Sequence, residues 1–172
     1  MESWLTIQQE FSDLPDATEV TRLCVRLLVA ISLGALLGYE RERSGADAGF
    51  RTHMLVALGS ALFVIVPLQL GTDLGDMSRV LQGVIAGIGF LGAGAILKSS
   101  DDQQIRGLTT AASIWLTAAV GIAAGMGREA TAVVSTLFAL LILVALRVSP
   151  SRQDFSRRKT TGKERSVEKE AD

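Results

Sequence analysis

Residues 83–95 read GVIAGIGFLGAGA, with five glycines in thirteen positions and no charge. A soluble helix would lose roughly 1 kcal/mol at each glycine relative to alanine. In lipid the same residues let two helix backbones approach closely. The run also contains Gly87-x-Gly89-x-x-Gly92, which matches the dinucleotide-binding fingerprint. That fingerprint needs a strand before it, a helix after it and an acidic residue about twenty positions on. Here the glycines lie inside the apolar stretch 80–97, whose one polar side chain is Gln82, and Asp101 and Asp102 come too early. The membrane-helix reading therefore stands. At about 100° per residue, Gly83, Gly87 and Gly94 fall on one side of this helix and Gly89 and Gly92 on the other. Both sides are thin, so the glycines are packing positions and the helix is expected at the centre of a bundle.

Working outward, the chain of 172 residues is 48% hydrophobic, yet 20% of it is charged. The charges lie between apolar segments, as in polytopic membrane proteins. Those segments are 23–39, 54–70, 80–97, 108–125 and 130–146. Each is close to the minimum that spans about 30 Å of hydrocarbon. The expected fold is all-α, a bundle of five short transmembrane helices over residues 20–147. An acidic segment, 1–19, precedes it and a charged, disordered tail, 148–172, follows. The first 22 residues are acidic rather than basic, so no cleavable signal peptide is expected. Trp4, Ile7, Phe11 and Leu14 recur at helical spacing, giving an amphipathic surface helix that Pro15 ends. Asp16 with Glu19 forms a capping-box start for the first span.

Lysine and arginine set the orientation. Thirteen lie on one side: Arg41, Arg43, Arg51, Lys98, Arg106 and eight in the tail. Arg22, Arg79 and Arg128 lie on the other, and Arg26 falls just inside the first span, snorkelling outward. The positive-inside rule makes the thirteen cytoplasmic, with the amino terminus outside and the carboxyl terminus inside. An odd number of spans satisfies this.

Two constellations are candidates for function. Arg106, Thr109, Thr110, Ser113 and Thr117 fall within roughly a 100° arc of a helix, and Gly121 and Gly125 continue it. This hydroxyl-lined stripe is either a polar path or a set of hydroxyls bonded to their own helix and its neighbours. The second is a charge cluster at the cytoplasmic level, Glu40, Arg41, Arg51 and Lys98, with Arg106 beside it. It suits an anionic headgroup, a phosphate, a partner protein, or simple pairing that fixes helix ends. Gly34-x-x-x-Gly38 and Gly121-x-x-x-Gly125 join Gly83-x-x-x-Gly87 as small-residue packing motifs. Asp73 and Asp76 read as a solvated turn rather than a divalent-cation site. One cysteine, Cys24, and one histidine, His53, leave no disulfide and no His/Cys metal set within one chain. No nucleophile–base pair, Walker sequence or metalloprotease motif is present, so the expectation is a non-enzyme with no cofactor, no metal and no nucleic-acid partner.

Gly34-x-x-x-Gly38-x-Glu40-Arg41, Gly49-Phe50-Arg51-Thr52, Gly87-Ile88-Gly89-Phe90-Leu91-Gly92-Ala93-Gly94 and Arg106-Gly107-Leu108-Thr109-Thr110-Ala111-Ala112 with Trp115 occur in this order. The chain thereby resembles the MgtC/SapB family of bacterial inner-membrane proteins over some 125 residues. The resemblance implies five membrane helices with a periplasmic amino terminus. For virulence-associated members it also implies a link to growth at low Mg2+, to survival in macrophages and to inhibition of the F-type ATP synthase. Those members carry a further cytoplasmic carboxyl-terminal domain, whereas 26 residues follow Leu146 here, so the short SapB-like form is expected. Thr109 stands where the family often has asparagine.

The sequence thus predicts a multi-pass protein of the bacterial inner membrane, forming a homo-oligomer, most simply a dimer. Its expected role is regulation linked to Mg2+ or membrane-energy homeostasis, through helix–helix contact with other membrane proteins. The alternative is a small oligomeric transporter or channel using the Thr109–Thr117 stripe. The absence of a carboxylate at mid-span favours the first, because cation pathways usually place one there.

Overall fold

The computed structural model describes residues 2–10, 16–98 and 105–145. They form α1 (Glu2–Glu10), α2 (Ala17–Arg43), α3 (Phe50–Gln69), α4 (Leu74–Gly94), a two-residue pair β1 (Leu97–Lys98) and β2 (Ile105–Arg106), α5 (Leu108–Gly125) and α6 (Glu129–Ala145). The antiparallel pair sets Leu97 opposite Arg106 and Lys98 opposite Ile105, a small addition to the all-helical expectation. Two units divide the chain, residues 1–140 and 141–172. The described part of the second is the last turn of α6. Phe11, Leu14 and Pro15, Asp101 and Asp102, and the tail 148–172 lie outside the described residues.

Local chemistry explains the helix ends. The Asp16 carboxylate accepts the Glu19 amide at 2.8 Å and caps α2, as the capping-box spacing predicts. Asp16→Ala should lower the unfolding free energy by about 1 kcal/mol, measured by thermal or denaturant unfolding of the purified protein. Arg41 and Arg43 occupy the last turn of α2, where cations complement the helix dipole. Asp73 caps α4 by accepting the Asp76 amide at 2.9 Å, and Asp76 pairs with Arg79 at 3.8 Å. Gly45, Gly71 and Gly127 turn the chain with positive φ.

Among the described residues four helices, α2, α3, α4 and α5, are long and apolar enough to cross a membrane. The 27 residues of α2 extend about 40 Å, so its charged ends clear a hydrocarbon core of about 30 Å. The 17 residues of α6 reach roughly 26 Å.

The core is made of backbone contacts. Ala30, Ala57, Ala61 and Ala124 are fully buried. Where Gly34 of α2 lacks a side chain, the His53 carbonyl and Ala57 Cβ of α3 stand in its place. Gly38 meets the Phe50 backbone in the same way. On α3's other side Gly121 of α5 faces the Ala57 backbone, and Gly125 faces Ala61 and Val64. Ala57 is thus clasped between Gly34 and Gly121. Such close approach maximises dispersion contact where lipid removes the hydrophobic drive between helices.

The glycine-rich helix α4, expected at the centre of the bundle, does not lie there. Half of the membrane window of α5 is buried, against 11% for α4. Gly92 touches Ala111 of α5 at ordinary contact distance, but Gly83, Gly87, Gly89 and Gly94 have nothing within 4 Å of where a Cβ would stand. Glycine spacing shows where a backbone can approach, not that this chain supplies it. The most buried of these helices is α5, whose Ser113, Gly121 and Gly125 are met by α3.

Candidate functional site: a buried polar seam on α5

The predicted stripe is split at its foot. Gly107 adopts a left-handed φ of +88°, and a Cβ there would run into the Ala95 carbonyl. The helix therefore starts at Leu108, and Arg106 belongs to β2 rather than to the face it was expected to share. Thr109 is exposed. What remains is Thr110, Ser113 and Thr117, all buried, with Gly121 and Gly125 continuing the line.

The Ser113 and Thr117 hydroxyls are engaged inside the chain. Thr117 Oγ1 donates to the Ser113 carbonyl at 2.8 Å, and Ser113 Oγ contacts the Thr110 carbonyl at 2.8 Å. On α6, Thr136 Oγ1 donates to the Ala132 carbonyl at 2.8 Å in the same manner. Such bonds to the preceding turn neutralise a hydroxyl in an apolar setting.

Opposite Ser113 stands His53, fully buried one turn into α3. Its Nδ1 lies 2.9 Å from the Gly49 carbonyl and its Nε2 lies 3.2 Å from Ser113 Oγ. A carbonyl only accepts, so Nδ1 carries a proton. In a neutral ring Nε2 is then an acceptor, and the single Ser113 proton has two acceptors, Nε2 and the Thr110 carbonyl. A doubly protonated ring would donate to Ser113 instead. Protonation of His53 and the direction of the Ser113 hydroxyl are therefore coupled. The sequence reading treats His53 only as a missing metal partner. A lone histidine directly before an apolar span is nevertheless a signal, because such residues rarely enter a membrane without a polar partner.

The charge cluster is only partly assembled. Glu40 is buried, accepts from Ser44 Oγ at 2.6 Å and lies 3.6 Å from the Arg41 guanidinium. Glu40 Oε2 and Arg41 Nε have no hydrogen-bond partner. Buried charges are tolerated only when paired, so this pair fixes the end of α2 rather than offering a surface. Arg51 is exposed at the start of α3 and does not join the Glu40–Arg41 pair. The side chain of Lys98 lies outside the described residues. At the opposite end Arg26 donates to the Gly125 carbonyl at 3.1 Å, capping the carboxyl end of α5 where a cation suits the dipole. That role differs from the snorkelling expected of it. Among the described residues no three His, Cys, Asp or Glu side chains come together as a metal site.

Comparison with known proteins bears on the same residues. The model of the MgtC family matches residues 27–151. Protein SrpB of Synechococcus elongatus is 45% identical over 150 residues, covering 78% of this chain and 82% of that protein. Protein MgtC of Salmonella typhimurium is 38% identical over 128 residues, covering 74% of this chain and 54% of that protein. A putative magnesium transporter of Escherichia coli, YhiD, is 44% identical over 124 residues, covering 68% and 56%. The chain spans about half the length of the latter two and most of the first. No solved structure matches. The matched region holds α3, α4, α5, α6 and most of α2, with the seam at its centre: the chain is a membrane protein belonging to the MgtC family.

Proposed function

We propose that this chain is a non-enzymatic regulator in the bacterial inner membrane, linked to Mg2+ or membrane-energy homeostasis. It acts by helix–helix contact, first with a second copy of itself and through that dimer with other membrane proteins. The observation that carries this reading is the asymmetry of the glycines. Those of α2 and α5 are filled by α3, whereas Gly83, Gly87, Gly89 and Gly94 of α4 stand open. Phe90 on the same helix is 84% exposed. Five crossings with the amino terminus outside complete the proposed topology, α6 crossing with local thinning of the bilayer.

Gly87→Leu should leave the amount of folded protein in the membrane unchanged and abolish the effect of the protein on growth at low Mg2+. Unchanged growth behaviour would count against helix contact at this face.

The polar seam favours a second reading, a small oligomeric transporter, and YhiD is described as a putative magnesium transporter. Purified protein in liposomes separates the two. The regulator reading expects no flux of Mg2+, Na+, K+ or protons above empty vesicles. Flux that Ser113→Ala alters would replace it.

A further inference from the structure

Where α2 ends and α3 begins, the chain encloses an open cavity of about 760 Å³ lined by Tyr39, Glu42, Asp47, Phe50, Arg51 and Thr52, among others. Its size is that of small-molecule sites. Two of its charges are already committed: Glu42 accepts the Phe50 amide at 2.9 Å, and Arg43 has a contact of its own. Arg51 and Asp47 differ. Both are exposed and line the cavity, and neither forms an ion pair with another described residue. An uncommitted cation and an uncommitted carboxylate therefore face one space without meeting each other.

The surroundings indicate what fills it. Tyr39 and Phe50 are exposed on the same rim. They sit where two apolar helices give way to a charged turn, the position aromatic rings take at a membrane interface. Leu36, one turn before Tyr39, is also exposed and continues that side into the apolar part of α2. The site thus pairs a polar, two-signed mouth with an apolar flank. A purely anionic ligand would meet Asp47 and Glu42 as repulsion, and a simple cation would meet Arg51 and Arg43.

We propose that this cavity binds a phosphodiester carrying a primary ammonium, the headgroup of a zwitterionic aminophospholipid. Arg51 takes the phosphate, for which its planar fork is suited. Asp47 takes the ammonium, and the acyl chains follow Leu36 and Tyr39 along α2.

Native mass spectrometry of the full chain, released from nanodiscs of defined lipid, tests this. Wild type should retain phosphatidylethanolamine about tenfold better than phosphatidylglycerol or phosphatidylcholine, a charge-assisted bond being worth about that factor. Arg51→Ala should reduce retention of all three. Asp47→Asn should lower phosphatidylethanolamine to the phosphatidylcholine level and raise phosphatidylglycerol, whose net negative charge no longer meets that carboxylate. Both side chains are exposed, so size-exclusion behaviour and melting temperature should match wild type. Free phosphoethanolamine added as competitor identifies the source. Displacement at micromolar concentration assigns the same chemistry to a soluble ligand, and failure to displace assigns it to the lipid. Equal retention of phosphatidylglycerol, or an unchanged preference in Asp47→Asn, would overturn the proposal.

Discussion

Gly121→Leu should leave no folded protein in the membrane. Its Cβ alone would collide with the Ala57 carbonyl oxygen, and the Ala57 Cα and carbonyl carbon lie at 2.9 and 3.0 Å from the same point. Backbone atoms cannot rotate aside, so α3 and α5 would have to separate along their length. Ala57 is itself held from behind by Gly34, whose Cβ position lies 2.9 Å from Ala57 Cβ. Overpacking in a well-ordered core costs about 1–3 kcal/mol where side chains absorb it. Here none can, and even Gly121→Ala should cost at least about 3 kcal/mol. Gly87→Ala is the control. Nothing lies within 4 Å of its Cβ position, and alanine is the better helix former by about 1 kcal/mol, so it should be neutral or stabilising. Thermal unfolding of both variants in detergent, followed by size-exclusion chromatography, checks the contrast. Equal behaviour of the two variants would contradict the packing described.

His53→Ala should be the most damaging change to a polar residue, lowering stability by about 3–5 kcal/mol. Two effects add. A fully buried ring is lost to a cavity in a layer of alanines and glycines. The Gly49 carbonyl and the Ser113 hydroxyl also each lose a hydrogen bond, worth about 0.5–1.5 kcal/mol apiece because the His53 amide and the Thr110 carbonyl remain as partners. The second effect can be separated from the first. His53→Leu preserves much of the volume but leaves the polar partners alone. Combining it with Ser113→Ala removes one of them, so the double variant should be less unstable than the single costs sum to. Strict additivity in that double-mutant cycle would mean that His53 and Ser113 do not interact.

Much of the fold was legible because membrane helices are signalled by length and apolarity. The segment predicted at 108–125 coincides with α5, and Asp16 caps α2 through the Glu19 amide, although the Glu19 carboxylate turns to Arg22 and does not complete a capping box. The ends of α2 extend beyond the predicted 23–39 because charged residues continue a helix once it leaves the apolar layer. Two readings failed for reasons that periodicity does not contain. Arg106 shares an angular position with Thr110 and Ser113 only if the helix runs through Gly107, and the left-handed φ of that glycine ends it. The glycines of α4 looked like a central helix because thinness marks permission for contact, whereas burial depends on which neighbour the chain brings up. Engagement of His53 was hidden for a similar reason. Its partner Ser113 is 60 positions away in sequence, and one residue of a type gives no pattern to read.

The central claim is that the hydroxyl seam of α5 is closed within the subunit while the glycine face of α4 meets another helix. Single-cysteine variants in a Cys24→Ser background test both halves in native membranes. Gly87→Cys should form a crosslinked dimer under mild oxidation. Ser113→Cys and Thr117→Cys should neither crosslink nor react with a water-soluble methanethiosulfonate reagent. Rapid labelling of Thr117→Cys from the aqueous phase, with Gly87→Cys remaining monomeric, would contradict it and make the seam a water-filled path.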